Sequence, residues 1–302
     1  MAASKPSLPD RIASWAAVLT GAAHTSEFWA GGAIPPLLAE RFAGGKLMPG
    51  NRTWRGACPS TLHRPNSQSS APFCRDYWPR ANVGASSCLA ISIGIGDEWS
   101  FEDNAVGGIK GARQPPTACE VHAYDATRDL REKHASHAVL HKEGSHLHFH
   151  YGGLRGELMA AGGGGGGGGG DTRNTYGTID SAMLHTLGEL LVRDAGGAAP
   201  DILKVDCEGC EWGAFTQIAS ASPALMGKTR LLLLELHVST MMVPPTPEQF
   251  VRFFDFLMSE LGFKLWYVRN NRGRMRDRRV VDFLKAVLPP DQCCYEIALV
   301  RG

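Results

Sequence analysis

The sequence lacks the features of several protein classes. Its 302 residues contain no apolar run that approaches the roughly 18 residues of a membrane-spanning helix. The formal net charge is only +1, so no excess of positive charge favours nucleic acid or an anionic surface. Eight cysteines are too few for a disulfide scaffold in a chain of this length. With 43% apolar residues, we expect a globular protein with a sizeable core, no nucleic-acid partner and no membrane span.

Residues 1–80 show little regular patterning. Segment 31–80 is rich in Pro, Gly, Ser and Arg, without a sustained period of 2 or 3.6, which predicts irregular structure. We interpret residues 12–23 as a short, partly buried helix rather than a signal-peptide core, because Asp10 and two prolines precede them. Cys58 and Cys74 are able to pair in an exported chain. The sequence therefore does not decide whether the protein is located in the cytoplasm or in the lumen of the secretory pathway.

Residues 81–302 have the pattern of one α/β domain, in which short apolar runs alternate with helical spacing. The predicted strands are 88–93, 120–124, 146–151, 201–205, 230–236, 263–268 and 294–300. The predicted helices are 98–109, 128–137, 179–191 (with Thr178 as its cap) and 250–261. This order predicts a Rossmann-like, doubly wound and mostly parallel sheet of about seven strands. Only a short helix over 280–287 separates the last two strands, so we expect an antiparallel last strand.

A run of nine glycines, 162–170, interrupts this pattern. Such a run has no side chains to bury and has maximal backbone entropy, so it predicts a flexible surface insertion.

The first strand ends in a glycine turn that is suited to close contact with a ligand. Gly94 and Gly96 let the backbone approach a ligand, and the helix that follows offers free N–H groups. The third glycine of the dinucleotide fingerprint is missing. Asp97 and Glu98 stand at the start of the helix, where they would repel a pyrophosphate. The turn therefore favours a ligand with an amino group and no phosphate.

The second strand ends at Asp125. An acid at this position of a doubly wound sheet holds the hydroxyls of a ribose. The alternative is an ordinary helix-capping aspartate, because Ala126 and Thr127 come next.

The fourth strand leads into the sequence LKVDCEGCEW, which combines three acids with two cysteines at CxxC spacing. Together with SIGIGDEWSFE, EVHAYD, FHYGGLRG, YGTIDS and LLLELH, in chain order, it resembles class I S-adenosylmethionine-dependent methyltransferases. The resemblance is to FkbM-type and related methyltransferase-like proteins, and it covers residues 85–302. Their fourth strand ends in a K-x-D-x-E-G-x-E pattern, which here comprises Lys204, Asp206, Glu208, Gly209 and Glu211.

The resemblance implies a seven-stranded sheet, bound S-adenosylmethionine and methyl transfer, commonly to the hydroxyl oxygen of a small molecule or glycan. It implies a cofactor site at Gly94, Gly96, Asp97, Asp125 and Asp206. Asp206, Glu208 and His237 are the catalytic candidates, because an acid or imidazole at this edge is able to orient a hydroxyl or take its proton.

The two cysteines are interpreted as fillers of tight space; the alternative is a zinc or redox CxxC, which the lack of a partner CxxC disfavours. His146, His148 and His150 share one face of a strand and are able to hold a metal, but structural histidines are the commoner case. We therefore predict no metal site.

Two other functions stay open at this stage. One is a binding module that keeps the methyltransferase fold without activity, because residues 1–80 match no pattern for a substrate side. The other is a nicotinamide-dependent oxidoreductase on a similar sheet, which the acids after Gly96 disfavour.

Overall fold

The computed structural model describes residues 6–20, 45–47, 53–56, 62–63, 73–74, 78, 88–106, 118–140, 146–156, 172–173, 176–194, 196–239, 244–271, 280–288 and 294–301. The α-helices in these ranges are α1 (Leu8–Thr20), α2 (Ser100–Ala105), α3 (Arg131–Val139), α4 (Leu187–Asp194), α5 (Glu211–Ala221) and α6 (Pro247–Phe254). The early strands are β1 (Gly45–Leu47), β2 (Thr53–Gly56), β3 (Leu62–His63), β4 (Phe73–Cys74), β5 (Cys88–Ile93), β6 (Cys119–Asp125), β7 (Leu147–Tyr151) and β8 (Gly153–Leu154). The later strands are β9 (Thr172–Arg173), β10 (Thr178–Ile179), β11 (Leu184–His185), β12 (Ile202–Val205), β13 (Leu231–His237), β14 (Lys264–Asn271) and β15 (Cys294–Val300).

One large mixed sheet organises the chain. Its strand order is β1-β2-β14-β15-β13-β12-β5-β6-β7. Strands β7, β6, β5, β12 and β13 run parallel to one another, and β15 is antiparallel to both β13 and β14. The predicted doubly wound α/β sheet of seven strands with an antiparallel last strand is confirmed. The short strands β1 and β2 extend its far edge beyond β14.

The strand order reverses between β5 and β12. From β5 the chain moves outward to β6 and β7, then crosses back to β12 on the other side of β5. In open α/β sheets, such a switch point leaves a crevice beyond the carboxyl ends of the two strands.

Helices cover both faces of the sheet because its central strands are apolar on both sides. Ile91 and Leu203 belong to the larger core, which α1, α4, α5 and α6 also fill. Ala90 and Ile202, their neighbours along the strands, belong to the second core, with Trp99 and other aromatic residues of that face. Strands buried on both faces read as continuous apolar runs, which is why β12 and β13 were predictable.

The N-terminal helix is part of the larger core. Trp15 of α1 stacks on Phe254 with 5.4 Å between ring centroids, and its indole N–H donates to Asp255 Oδ1 at 3.2 Å. Arg11 forms an ion pair with the same carboxylate. The predicted, partly buried helix is therefore present over Leu8–Thr20, with residues 15–19 buried; residues 21–23 lie outside the described residues. The division of the chain at residue 80 stays a prediction.

The predicted helices over 98–109 and 128–137 correspond to α2 and to α3, which a 3₁₀ turn over Arg128–Leu130 precedes. Two other predicted helices differ more, and Thr178, the predicted cap of one, lies in β10. The helix expected over 179–191 begins only at Leu187, because Thr186 and Glu189 cap it reciprocally and β11 pairs with β8 just before it. The helix expected over 250–261 is α6 followed by a π-helical segment, Asp255–Glu260.

The interpretation of the cysteines as free packing residues is wrong. Cys207 and Cys210 form a disulfide, and so do Cys88 and Cys119, which lie opposite each other on the paired strands β5 and β6. The sequence alone does not show which residues of β5 and β6 lie opposite each other, so the bond between Cys88 and Cys119 was not predictable. Cys58, the side chain of Cys74 and the polyglycine run 162–170 lie outside the described residues.

Among the described residues, no helix has the length and apolar character needed to cross a membrane.

Candidate active site

A cleft opens at the switch point, beyond the carboxyl ends of β5, β6 and β12. The space between its walls is about 920 Å³ when the open solvent at its mouth is included, and about 90 Å³ of it is open to the centre of a water-sized sphere. Backbone hydrogen bonds fix the three strand ends against one another: Gly94 N–H donates to Tyr124 O, and Asp206 N–H donates to Ile93 O, both at 2.9 Å. The walls comprise Ile93–Glu98, Ser100, Phe101, Tyr124–Thr127, Gly153, Leu154, Tyr176, Ile179, Leu184, Lys204 and Asp206–Glu208.

The two glycines of the first turn lie close to neighbouring parts of the chain, which leaves little space for a side chain at either position. Gly94 has φ +82°, and a Cβ there would lie 1.6 Å from the carbonyl oxygen of Asp206. Gly96 has φ +64°, and its Cβ would lie 3.1 Å from the ring of Tyr176. Only glycine satisfies both the conformation and the space at Gly94.

A buried polar network holds the first turn against β12. Lys204 Nζ donates to Gly94 O at 2.9 Å and to Ser92 Oγ at 3.3 Å, and it lies 3.4 Å from Glu102 Oε1. Ser92 Oγ also bonds the Glu102 carboxylate, and the side chains of Glu102 and Lys204 are buried. A buried charge is tolerated only when it is paired and hydrogen-bonded in this way. The lysine of the fourth-strand motif is therefore a scaffold of the cleft.

Asp125 lies in the cleft wall but is already engaged by the backbone. Its Oδ2 accepts from the N–H groups of Ile95 (3.1 Å) and Gly96 (2.9 Å), and its Oδ1 accepts from Thr127 N–H (2.7 Å). A carboxylate has about four acceptor positions. In this conformation Asp125 thus has one position left for a ligand hydroxyl, on Oδ1, rather than the two that a bidentate ribose contact needs.

The turn after β12 has an unusual conformation. Glu208 has φ +57°, the one positive φ of a non-glycine residue among the residues described. The Cys207–Cys210 disulfide spans this position, and Gly209 N–H donates to Glu211 Oε2 at 2.9 Å. Backbone strain of this kind persists where the surroundings fix it, and it concentrates at functional sites. The disulfide and Glu211 supply that fixation.

His237, at the end of β13, lies behind Asp206 and Glu208 among carboxylates. Its backbone N–H donates to Glu211 Oε1 at 2.6 Å, and its Nδ1 lies 3.0 Å from the same oxygen. Its Nε2 lies 3.5 Å from Glu208 Oε2 and 4.0 Å from Asp206 Oδ1. Burial alone lowers the pKa of His237, but Glu211, Glu235 and Glu208 outweigh it and raise the pKa to about 10. At neutral pH this residue is therefore a buried imidazolium.

The pKa values of Asp206 and Tyr176 are also displaced. Burial, with the Glu235 carboxylate nearby, raises the pKa of Asp206 well above the ordinary value for an aspartate. Burial, together with Asp206 and Asp97, raises the pKa of Tyr176 to about 12, so its phenol stays protonated. A carboxyl with a raised pKa holds a proton more readily than an ordinary aspartate, so Asp206 is suited to exchange a proton with a ligand.

Acidic side chains dominate the cleft. Asp97, Glu98, Asp125, Asp206 and Glu208 line it, whereas Lys204 is the single cationic side chain among the described lining residues and is committed to the scaffold. The negative potential favours a cationic ligand and opposes phosphate groups.

The predicted site residues converge. Gly94, Gly96, Asp97, Asp125, Asp206 and Glu208 line one cleft, and His237 contacts the two carboxylates of the fourth-strand turn from behind. Tyr176 and the supporting roles of Lys204 and Glu211 were missed. The lysine and the glutamate belong to the K-x-D-x-E-G-x-E pattern, so a role for each was detectable. Tyr176 begins the YGTIDS segment of the resemblance, but that segment does not indicate the place of its ring over Gly96.

No protein-family model and no curated protein matches the chain. A crystal structure of the methyltransferase FkbM from Methylobacillus flagellatus KT aligns with 70% of this chain and 43% of its own, at 14% identity and a TM-score of 0.38. The chain thus spans less than half the length of that protein. A methyltransferase candidate from Thermoplasma acidophilum aligns with 72% of this chain and 68% of its own, at 10% identity and a TM-score of 0.32. Similarity at this level does not identify an activity.

Proposed function

We propose that the chain is an S-adenosylmethionine-dependent methyltransferase that transfers a methyl group to a hydroxyl oxygen of a small molecule or glycan. The observation that carries the proposal is the acidic cleft at the switch point, in which Asp206 and Glu208 lie beside the Gly94 turn.

The residues present fit this cofactor. Its sulfonium and ammonium groups are cations, and five carboxylates line the cleft, namely those of Asp97, Glu98, Asp125, Asp206 and Glu208. Gly94 and Gly96 leave space where side chains would stand. Asp125 has one acceptor position for a ribose hydroxyl, and Phe101 and Ile179 offer apolar surface in the same walls.

The proposed chemistry requires alignment more than covalent participation by the protein. When bound, S-adenosylmethionine supplies an electrophilic methyl group. Asp206 takes the proton of the acceptor hydroxyl, because its raised pKa makes it a better base than an ordinary aspartate. Glu208, held by its strained turn, orients the acceptor. His237 stays protonated and balances the charge of the two acids. Holding the reactants in line supplies most of the rate.

A dinucleotide such as NAD fits less well. Its pyrophosphate needs the N–H groups of the first turn, but Asp125 accepts from those of Ile95 and Gly96, and Asp97 and Glu98 follow. The nicotinamide-dependent alternative is therefore not proposed.

A thermal-shift titration tests the cofactor. We expect S-adenosylmethionine and S-adenosylhomocysteine to raise the melting temperature and NAD and NADP to leave it unchanged. A ligand at 100 times its Kd stabilises the fold by about 2.7 kcal/mol, which such a titration resolves. A folded sample that responds to neither sulfur compound would remove the proposal.

A second measurement separates an enzyme from a binding module. Transfer of radiolabelled methyl groups from S-adenosylmethionine is followed on a panel of sugars, glycans and hydroxylated small molecules. Binding without transfer to any acceptor would favour the binding module with a methyltransferase fold.

A further inference from the structure

We propose that the outer edge of the sheet binds a divalent transition-metal ion of the Zn²⁺ class through Glu120, His122 and His148. These residues lie on β6 and on the edge strand β7, and none of them lines the cleft. His122 and His148 stand directly opposite each other in the parallel pair, and Glu120 shares the same face of β6 as His122.

The three ligand atoms already lie close together. His122 Nε2 and His148 Nε2 are 3.4 Å and 3.5 Å from Glu120 Oε1, and all three atoms lie within 4.8 Å of one another. Ligands that each stand about 2.0–2.1 Å from one tetrahedral ion are separated by roughly 3.3–3.5 Å. Small rotations of the side chains therefore suffice to bring the three atoms around one ion.

Other side chains support the ligands from behind. The Nδ1 of His122 lies 2.9 Å from His150 Nε2, and the Nδ1 of His150 lies 3.9 Å from Asp194 Oδ1. Tyr124 O–H and Arg193 also donate to the Asp194 carboxylate. A metal-binding histidine usually donates its second ring N–H to such a partner, which fixes the ring and its tautomer.

The donor set and its exposure select the ion. Two imidazoles and one carboxylate favour Zn²⁺ over Ca²⁺ or Mg²⁺, which prefer oxygen ligands. The side chains of His148 and Glu120 are 47% and 41% exposed, so an ion reaches the site and a water completes its coordination. Bound there, the ion would tie the edge strand β7 to β6.

Among the described residues, two further groups place three potential ligand atoms within 4.8 Å of one another. One contains Cys207 and Cys210, and the other contains Cys294, and all three cysteines are disulfide-bonded. A disulfide sulfur offers no thiolate, so neither group has three competent ligands.

The test uses the untagged full chain and Co²⁺, whose visible absorption reports four-coordinate binding, followed by displacement with Zn²⁺. We expect one equivalent of Co²⁺ with tetrahedral bands. His148→Ala and Glu120→Gln change exposed side chains and should weaken binding at least about 100-fold. His150→Phe removes a positioning residue and should weaken it about 10–100-fold without abolishing the bands.

His146→Ala is the matched control, because His146 is an exposed histidine next to the same strand but outside the set. It should bind Co²⁺ as the unchanged chain does. No tetrahedral bands in the folded unchanged chain, or equal losses in His146→Ala and His148→Ala, would overturn the proposal. Circular dichroism of each variant separates loss of a ligand from loss of the fold.

Discussion

At the residue scale, the acids of the fourth-strand turn have different tasks. Glu211 is fully buried and holds His237, whereas Asp206 and Glu208 reach the cleft. Because the raised pKa keeps His237 protonated at neutral pH, we propose that it does not take the proton of the acceptor, and its catalytic role stays a prediction. The base of the proposed reaction is therefore Asp206.

Replacing Asp206 tests this assignment. Asp206→Asn preserves the volume and removes the charge, so methyl transfer should fall by about 10²-fold or more while the fold persists. Steady-state rates across pH are the measurement. In the unchanged chain the rate should rise as pH passes the raised pKa of Asp206, because only the ionised carboxylate takes a proton.

Asp282→Asn provides the control, since its side chain is 91% exposed and belongs to no site. A rate for Asp206→Asn within a few-fold of the control would show that Asp206 is not the base.

The glycine at the first turn gives a second residue-scale prediction. Gly94→Ala places a methyl group 1.6 Å from a backbone oxygen and should prevent the normal packing of β5 against the fourth-strand turn. Gly262 has a similar φ of +74° with no atom near its Cβ, so Gly262→Ala should show only the conformational penalty of about 1–2 kcal/mol. Urea unfolding compares the two variants. Equal losses of stability would mean that the contact with Asp206 is unimportant.

At the element scale, one disulfide lies at each end of the parallel strands of the sheet. Cys88–Cys119 joins the starts of β5 and β6, and Cys207–Cys210 closes the turn after β12. The first bond lies away from the cleft lining, whereas Cys207 is part of it. Their reduction should therefore have different effects on activity.

The turn disulfide should matter for turnover. In the variant Cys207→Ser with Cys210→Ser, Glu208 is free to leave its left-handed conformation. If that conformation lies about 1.4 kcal/mol above a relaxed one, only about one molecule in ten keeps it. We therefore expect a roughly tenfold loss of activity. The variant Cys88→Ser with Cys119→Ser is the matched control and should retain activity when folded. Methyl-transfer rates with and without reductant provide the readout, and unchanged rates in the turn variant would contradict the prediction.

At the scale of the whole molecule, the buried His237 couples stability to pH. Its pKa is raised in the folded state to about 10 from 6.5, so its contribution is fully present below pH 6.5 and is lost as pH rises through 10. We expect the melting temperature to decrease as the pH rises from 6.5 to 10. His237→Gln should have a flatter profile over the same range, and an equally steep fall in both proteins would assign the effect to other groups.

The sheet was more predictable than the site. Runs such as Leu231–Leu234 are apolar throughout because both faces of β13 are buried, and that composition alone indicates a central strand. The start of α4 depends on pairing between β8 and β11, which helical spacing does not reveal. The partners of Asp125 and the grouping of Glu120 with two histidines depend on register between strands, which emerges only from the folded chain.

The acidic lining of the cleft has a consequence for the order of events in the catalytic cycle that we propose. Field lines from the carboxylates extend beyond the mouth of the cleft, so a positively charged donor is captured faster than by free diffusion, and added salt slows its capture. After methyl transfer the same molecule has lost its sulfonium charge, and the attraction that retained it is weaker. The demethylated cofactor should therefore have a shorter residence time than the methyl donor. The difference in charge alone favours replacement of the product by a new donor molecule.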